Sequence, residues 1–321
     1  MLDDDTRTAL LRALTPLGEV TELTPLTGGM FATSVRVDLA DGRRLVAKTA
    51  PADDDRLLRY ERDLIRTEAL VYRIAGDDPE LPLPDLVLAD PSREHLPGDL
   101  VVASWVDGVR ADTVPELAEA TAAVRNRGLG RMMAALHRHT GDGFGYPSGP
   151  PALRGTTWAE TFGAMVEAVL ADGADWQVPL PVDRVRAALL RHRAALDEVD
   201  RPALVHADLW PGNLFVHPES GELTGVIDPE RAFWGDPWFD LIACDPFRTG
   251  TPDADLLAGY RAAGGTVDPG HPRLALCRMY LALIMRVEVL PRRYEGEGLA
   301  DYLGQIERWL TATLDALDAL D

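Results

Sequence analysis

The segment His206-Ala207-Asp208-Leu209-Trp210-Pro211-Gly212-Asn213 sets a carboxylate and a carboxamide within one short loop, and a second carboxylate follows in Ile227-Asp228-Pro229-Glu230. Transfer of a phosphoryl group from ATP needs one carboxylate near the attacking hydroxyl. It also needs oxygen ligands that hold Mg²⁺ against the phosphates. Asp208 suits the first task, and Asn213 with Asp228 suits the second. Residues 213–216 and 223–228 read as a β-hairpin around a turn at 219–222, which folds the two ligands back beside each other. Any one of these residues alone is an ordinary turn cap or strand end. In this order, each at an element junction, they argue together.

A cation is needed beside the phosphates, and the chain offers an unusual one. Of its 32 basic residues only Lys48 is a lysine; every other one is an arginine. Lys48 ends a strand pattern at 44–48 and precedes a helical pattern over 56–75. The apolar stripe of that helix (Leu57, Leu64, Ile65, Val71, Tyr72 and Ala75) carries Glu61 and Glu68. A carboxylate inside an apolar stripe calls for a cationic partner. A lysine at the inner end of a sheet strand calls for an anionic one. Glu68 is the expected partner and Glu61 its competitor, unless Glu61 faces solvent at the first turns.

The elements that must position these groups follow from periodicity and turn signals. Residues 2–14 read as a helix, and strands are expected at 20–26, 31–39, 44–48, 86–89 and 100–105, with Asp41-Gly42 as a hairpin turn. After Gly108 the pattern becomes helical: 117–124, 129–137, 158–170, 182–196, 253–262, 274–289 and 300–320. Residues 140–151 read as loop and 203–206 as a short buried strand. The expected class is α+β, with a β-rich lobe at 1–107 (five antiparallel strands plus one helix) and a mainly helical lobe at 108–321.

The H-x-D-x-x-x-x-N spacing is that of a kinase catalytic loop. With it, the chain resembles the aminoglycoside phosphotransferase and choline kinase superfamily, small-molecule relatives of the protein kinases, over nearly its whole length. The H-x-D-L-W-x-G-N loop is also similar to that of the fructosamine kinase branch. The resemblance implies a two-lobed protein-kinase-like fold and ATP and Mg²⁺ as cofactors. It makes Asp208 the base, Asn213 and Asp228 the metal ligands, and Lys48 the contact to the α- and β-phosphates, paired with Glu68. Asp240, in Trp234-Gly235-Asp236-Pro237-Trp238-Phe239-Asp240, resembles a buried aspartate that braces the catalytic loop, and His206 reads as a second brace. The turn with Gly28 and Gly29 occupies the phosphate-covering position, where backbone N–H groups and the Thr33 or Ser34 hydroxyl could meet a phosphate oxygen. Adenine would stack between apolar side chains and bond to the backbone near Ala103–Trp105, with Trp105 as a wall. Ile-Asp-Pro-Glu replaces the Asp-Phe-Gly of protein kinases, and no long segment for docking a peptide follows it.

Composition narrows the partners. A formal charge of −20 over 321 residues argues against a nucleic acid or an anionic membrane as partner. The two cysteines, Cys244 and Cys277, are too few for a disulfide scaffold, and the acidic start has no secretory pattern. His137 and His139, two residues apart, lie on different helix faces and do not form a metal pair. A cytoplasmic enzyme, monomeric or a simple homodimer, is the expectation.

The acceptor is expected between the catalytic loop and the C-terminal helices, walled by Trp158, Glu160, Glu230, Trp234, Asp236, Phe239, Asp245 and Glu288. Carboxylates there would hold a cationic substrate, and aromatic faces a sugar ring. The leading expectation is an O-phosphotransferase for a sugar-like or antibiotic hydroxyl, with antibiotic resistance as one role. A fructosamine or ketoamine kinase is the alternative. A nucleotide-binding regulator without catalysis is the rival of another class, disfavoured because lysine, base and metal ligands are all present.

Overall fold

The computed structural model describes residues 2–26, 32–50, 55–113 and 119–320. Gly28 and Gly29, and with them the expected phosphate-covering turn, lie outside these residues. The chain starts with α1 (Asp4–Leu14), capped by the Asp3 carboxylate, which accepts from the Thr6 N–H at 2.7 Å. Strands β1 (Val20–Pro25), β2 (Thr33–Leu39) and β3 (Arg44–Thr49) precede helix α2 (Leu64–Gly76), and β4 (Leu86–Asp90) and β5 (Leu100–Ser104) follow it. The five strands pair antiparallel in the order β1-β2-β3-β5-β4, as expected. Alternation decides which face each residue serves. Val35, Val37, Leu45, Ala47 and Val102 pack with Leu10 and Leu14 of α1, whereas Val101 and Ala103 pack with Ile65, Ala69 and Tyr72 of α2. Lys48 follows Ala47 along the strand, so its side chain falls on the α2 face.

The expected helix at 56–75 starts eight residues late. Asp63 sits at φ 56°, in the left-handed region, and α2 begins only after it. Upstream, residues 55–63 form a strap with a single backbone turn, Glu61 N–H to the Leu58 carbonyl at 2.9 Å, and with further backbone bonds to side chains. Leu58 N–H donates to Glu61 at 2.9 Å and Arg59 N–H to Asp172 at 3.0 Å. Leu58 and Tyr60 are buried in the large helical core, not in the sheet's own core.

Beyond β5 come β6 (Val109–Arg110), α3 (Glu119–Leu136), β7 (Phe144–Gly145), β8 (Arg154–Gly155), α4 (Trp158–Asp175), α5 (Val182–Arg191) and α6 (Arg193–Asp197). Then follow β9 (Ala203–Val205), β10 (Leu214–Val216), β11 (Leu223–Val226), β12 (Phe233–Gly235), α7 (Asp240–Ala243), α8 (Ala254–Ala262), α9 (Pro272–Glu288) and α10 (Leu299–Ala319). The two helices expected across 117–137 are one, and the one expected over 182–196 breaks at His192, whose ring bonds to the Leu317 carbonyl at 2.8 Å. The short strands β7, β8 and β12, two or three residues each, carry too little alternation to be read from sequence. The fold is α+β and protein-kinase-like. Among the described residues no helix is long and apolar enough to cross a membrane.

Candidate active site

Lys48 is the centre of the site. Its Nζ lies 2.8 Å from Glu68 Oε2 and 2.7 Å from Glu230 Oε2, and it also bonds directly to Asp228. Glu61 is not its partner and does not face solvent; it is buried and binds Arg292 at 2.5 Å. Burial works against the Lys48 ammonium, but Asp228, Glu230 and Glu68 more than offset it, so its pKa stands well above the ordinary lysine value. Burial raises the Glu68 carboxyl against the pull of Lys48. At Asp228 burial also pushes upward, yet Lys48 prevails and the carboxyl titrates below its usual range.

The loop that carries Asp208 is held from behind. Asp240, wholly buried, accepts the His206 N–H at 3.0 Å and the Ala207 N–H at 2.8 Å on different oxygens. His137 Nε2 lies 3.1 Å from the same carboxylate and its Nδ1 lies 3.1 Å from the Tyr260 hydroxyl. From sequence alone His137 stands out only as a poor metal ligand. A buried histidine just past the end of α3 needs a polar partner, and Asp240 supplies it. His206 Nδ1 accepts from the Asp208 N–H at 3.3 Å, which leaves Nε2 to donate to the Ile227 carbonyl at 3.1 Å. Burial lowers the His206 pKa, in keeping with the neutral ring that this pairing requires.

The hairpin brings the remaining groups together. Leu214 pairs with Val226, and the Ile227 N–H donates to the Asn213 carbonyl at 3.0 Å, which sets Asp228 one residue beyond the paired end. Asp228 takes φ 66°, and its N–H donates to the Tyr72 hydroxyl at 3.4 Å. Asn213 Nδ2 donates to the Asp208 carbonyl at 2.8 Å and to its carboxylate at 3.1 Å. Burial pushes the Asp208 carboxyl up to about 6, with Arg231 opposing and Asp228, Glu288 and Glu230 adding to the rise. Carboxylate oxygens of Glu68, Asp228 and Glu230 lie within 4.8 Å of one another, a hard all-oxygen set of the kind that suits Mg²⁺.

These groups close one end of a cleft of about 460 Å³. Its other walls are mainly apolar, with Val46, Val101 and Ala103 from the sheet and Trp210, Phe215 and Ile227 from the second half of the chain, joined by Ser104 and Arg110. Ser34 and Trp105 line it too, while Thr33 does not. Trp105 also lies under the guanidinium groups of Arg36 and Arg44, 6.0 and 5.7 Å from its ring centre. The N–H groups of Ser104 and Trp105 already donate to the carbonyls of Asp85 and Arg44. Val106, just beyond the strand, lines the cleft as well.

Most of the expected acceptor wall is used elsewhere. Trp158 and Phe239 are core residues, each packed against Phe233. Trp234 packs on the same core from strand β12. Asp236 is buried under a two-pronged bond from Arg273, 2.7 and 2.6 Å long. Glu160 is exposed at the start of α4, where it accepts from Thr157 Oγ1 at 2.9 Å. Asp245 binds its neighbour Arg248, and Glu288 lies buried between Arg231 at 2.9 Å and Arg292 at 3.1 Å. Only Glu230 reaches the cleft. Arginines are not seen by a count of carboxylates, and here they neutralise Asp236, Asp245 and Glu288.

The model of the phosphotransferase enzyme family matches residues 22–277. The chain belongs to that family. It is a small-molecule phosphotransferase. Among solved structures the enzyme is similar to a candidate fructosamine-3-kinase from Thermobifida fusca, with 22% identity, a TM-score of 0.67, and 99% of this chain and 100% of the other covered. It is similar as well to a candidate aminoglycoside phosphotransferase from Ralstonia eutropha, with 17% identity, a TM-score of 0.66, and coverage of 98% and 99%. A third is the aminoglycoside phosphotransferase APH(4)-Ia bound to AMP-PNP and hygromycin B, with 20% identity, a TM-score of 0.61, and coverage of 95% and 97%. At these identities the likeness speaks for the fold. No curated protein sequence matches the phosphotransferase.

Proposed function

We propose that this phosphotransferase moves the γ-phosphoryl group of ATP, with Mg²⁺, to a hydroxyl of a small sugar-like or antibiotic-like molecule. Residues 1–107 would form the nucleotide lobe and 108–321 the catalytic and acceptor lobe of a cytoplasmic monomer or simple homodimer. The observation that carries the reading is the convergence of Lys48, Glu68, Asn213 and Asp228 on one cleft, with Asp208 bonded to Asn213. Lys48 would orient the α- and β-phosphates once its bonds to Asp228 and Glu230 open. Asn213 and Asp228 would hold Mg²⁺, with Glu230 close by, and the metal would neutralise charge on the phosphates. Asp208 would accept the proton of the attacking hydroxyl.

A ketoamine acceptor is the second reading. Trp210, 41% exposed, lines the cleft and stacks over Gly212. An indole next to the base offers a face for a sugar-amine adduct, and the internally paired carboxylates leave little to attract a polycation. A turnover screen of ATP and Mg²⁺ against aminoglycosides, nucleoside antibiotics, amino sugars and fructosyl-amines separates the two, with Asp208→Asn as the control. Nucleotide binding without turnover on any of them would favour a non-catalytic regulator.

A further inference from the structure

Four charged side chains from distant parts of the chain form a closed, buried ring. Arg292 lies 2.5 Å from Glu61 and 3.1 Å from Glu288, while Arg231 lies 2.9 Å from Glu288 and 3.9 Å from Glu61. Each side chain is no more than 12% exposed. Glu61 also accepts the Leu58 N–H at 2.9 Å and the Tyr60 hydroxyl at 3.2 Å, and Glu288 accepts the Tyr294 hydroxyl at 3.3 Å.

We infer that this ring is a positioning device: it pins the strap of residues 55–63 to the helical lobe, and so sets where Glu68 meets Lys48. Only its ATP readout rests on the proposed function. The strap is the covalent path from the strand of Lys48 to the helix of Glu68. Helix α2 has no side-chain cap of its own, so its start is fixed by what precedes it. Apart from Asp63, which pairs loosely with Arg66 and Arg93 at 3.8 and 3.7 Å, the contacts described for the strap lead into the helical lobe. Tyr60 stacks on Tyr146 at 5.2 Å, Arg56 donates to the Pro291 carbonyl at 2.6 Å, and Arg59 binds Asp172 and Asp175.

The ring reaches the lysine by a second route. Arg231 ends the turn Pro229–Arg231 that directly follows Asp228 and contains Glu230. All three carboxylates on Lys48 therefore hang from segments tied to one ring, Glu68 through the strap and the other two through Arg231. A buried ion ring is a weak source of net stability, because desolvation offsets its attraction. It is selective, however, since one missing partner leaves a buried charge uncompensated.

The test uses the full chain as wild type, Arg292→Met, Arg292→Lys, Glu68→Gln and the double variant Arg292→Met/Glu68→Gln. Without nucleotide, amide hydrogen exchange in α2 is expected to quicken about tenfold in Arg292→Met, with α8 unchanged. AMP-PNP with Mg²⁺ is expected to bind about tenfold more weakly to Arg292→Met than to wild type. The same substitution should matter less than about twofold once Glu68 is already Gln, because its effect runs through that residue. Arg292→Lys keeps a cation between the two glutamates and should recover most of the loss. Should Arg292→Met fail to fold, Glu61→Gln replaces it, since the amide oxygen can still accept from the Leu58 N–H while the Tyr60 hydroxyl turns to accept from the amide NH₂. Unchanged exchange in α2, or an equal loss of affinity in both backgrounds, overturns the inference. If wild type bound no AMP-PNP, the nucleotide reading would fail, and the exchange comparison would still decide the ring.

Discussion

Asp240 holds Ala207 in a left-handed turn: the carboxylate accepts the Ala207 N–H at 2.8 Å while Ala207 sits at φ 68°. An alanine there costs roughly 1–2 kcal/mol, and the bond keeps the loop of Asp208 in that form. Asp240→Asn turns an NH₂ toward one of two N–H donors. It is expected to lose roughly 1–3 kcal/mol in a urea titration and to lower kcat with little change in ATP affinity. Ala207→Gly should restore part of that stability. A variant as stable and active as wild type would refute the brace.

Lys48 has no other lysine to stand in for it. Arginine needs more width and aims its donors differently, and Nζ is already packed among three carboxylates. Lys48→Arg should be almost as impaired as Lys48→Ala in kcat/KM for ATP, and Glu68→Gln milder than both. A thermal melt run beside the assays excludes unfolding. Near-normal activity of Lys48→Arg contradicts the expectation.

Removal of one oxygen ligand should expose the metal dependence. Asp228→Ala is expected to abolish transfer. Asn213→Ala should raise the Mg²⁺ concentration for half-maximal rate. The measurement is a magnesium titration of initial rate, and an unchanged curve for Asn213→Ala removes that residue from the metal site.

Gly225 tests the purine end of the cleft. A Cβ built there would lie 2.2 Å from Val106 Cγ1, so Gly225→Ala must push Val106 aside. The expected result is a several-fold rise in KM for ATP with kcat retained. A fall in kcat at unchanged KM would show that Val106 does not touch the nucleotide.

Asp99 carries a pH-dependent share of stability. Burial raises its carboxyl, but bonds from Arg66 at 2.5 Å and Arg93 at 2.7 Å prevail, so it titrates below the ordinary carboxylate range. A lowered folded pKa stabilises above the unfolded value, and the gain is lost as pH falls through the folded one. Asp99→Asn should melt below wild type at pH 7, and the gap should close in strong acid. A gap that stays constant with pH would rule out this pair as its source.

The sheet and the catalytic hairpin were legible because both are local. Val35, Val37 and Leu39 alternate, Asp41-Gly42 marks a turn, and the spacing of Asp208, Asn213 and Asp228 survives folding unaltered. The lone lysine pointed to its strand and to Glu68. The strap was not legible, because Leu57, Leu64 and Ile65 fit a helical stripe equally well. What stops the helix is Asp63 and the pull of Asp172, more than a hundred residues away. The acceptor wall failed for a related reason. Asp236, Asp245 and Glu288 are acidic on paper, but Arg273, Arg248, Arg231 and Arg292 answer them in space.

The bond between Glu61 and Arg292 spans 231 residues of sequence. Closing so long a loop carries an entropic cost that local structure cannot offset, and such contacts form late. Leu58 and Tyr60 find their core only once the helical lobe exists. On the ring reading, the first lobe can pair its sheet before its strap is docked, because the strap's partners Asp172 and Arg292 come later in the chain. On the same reading, a chain cut short before Arg292 would leave the seat of Lys48 unfinished.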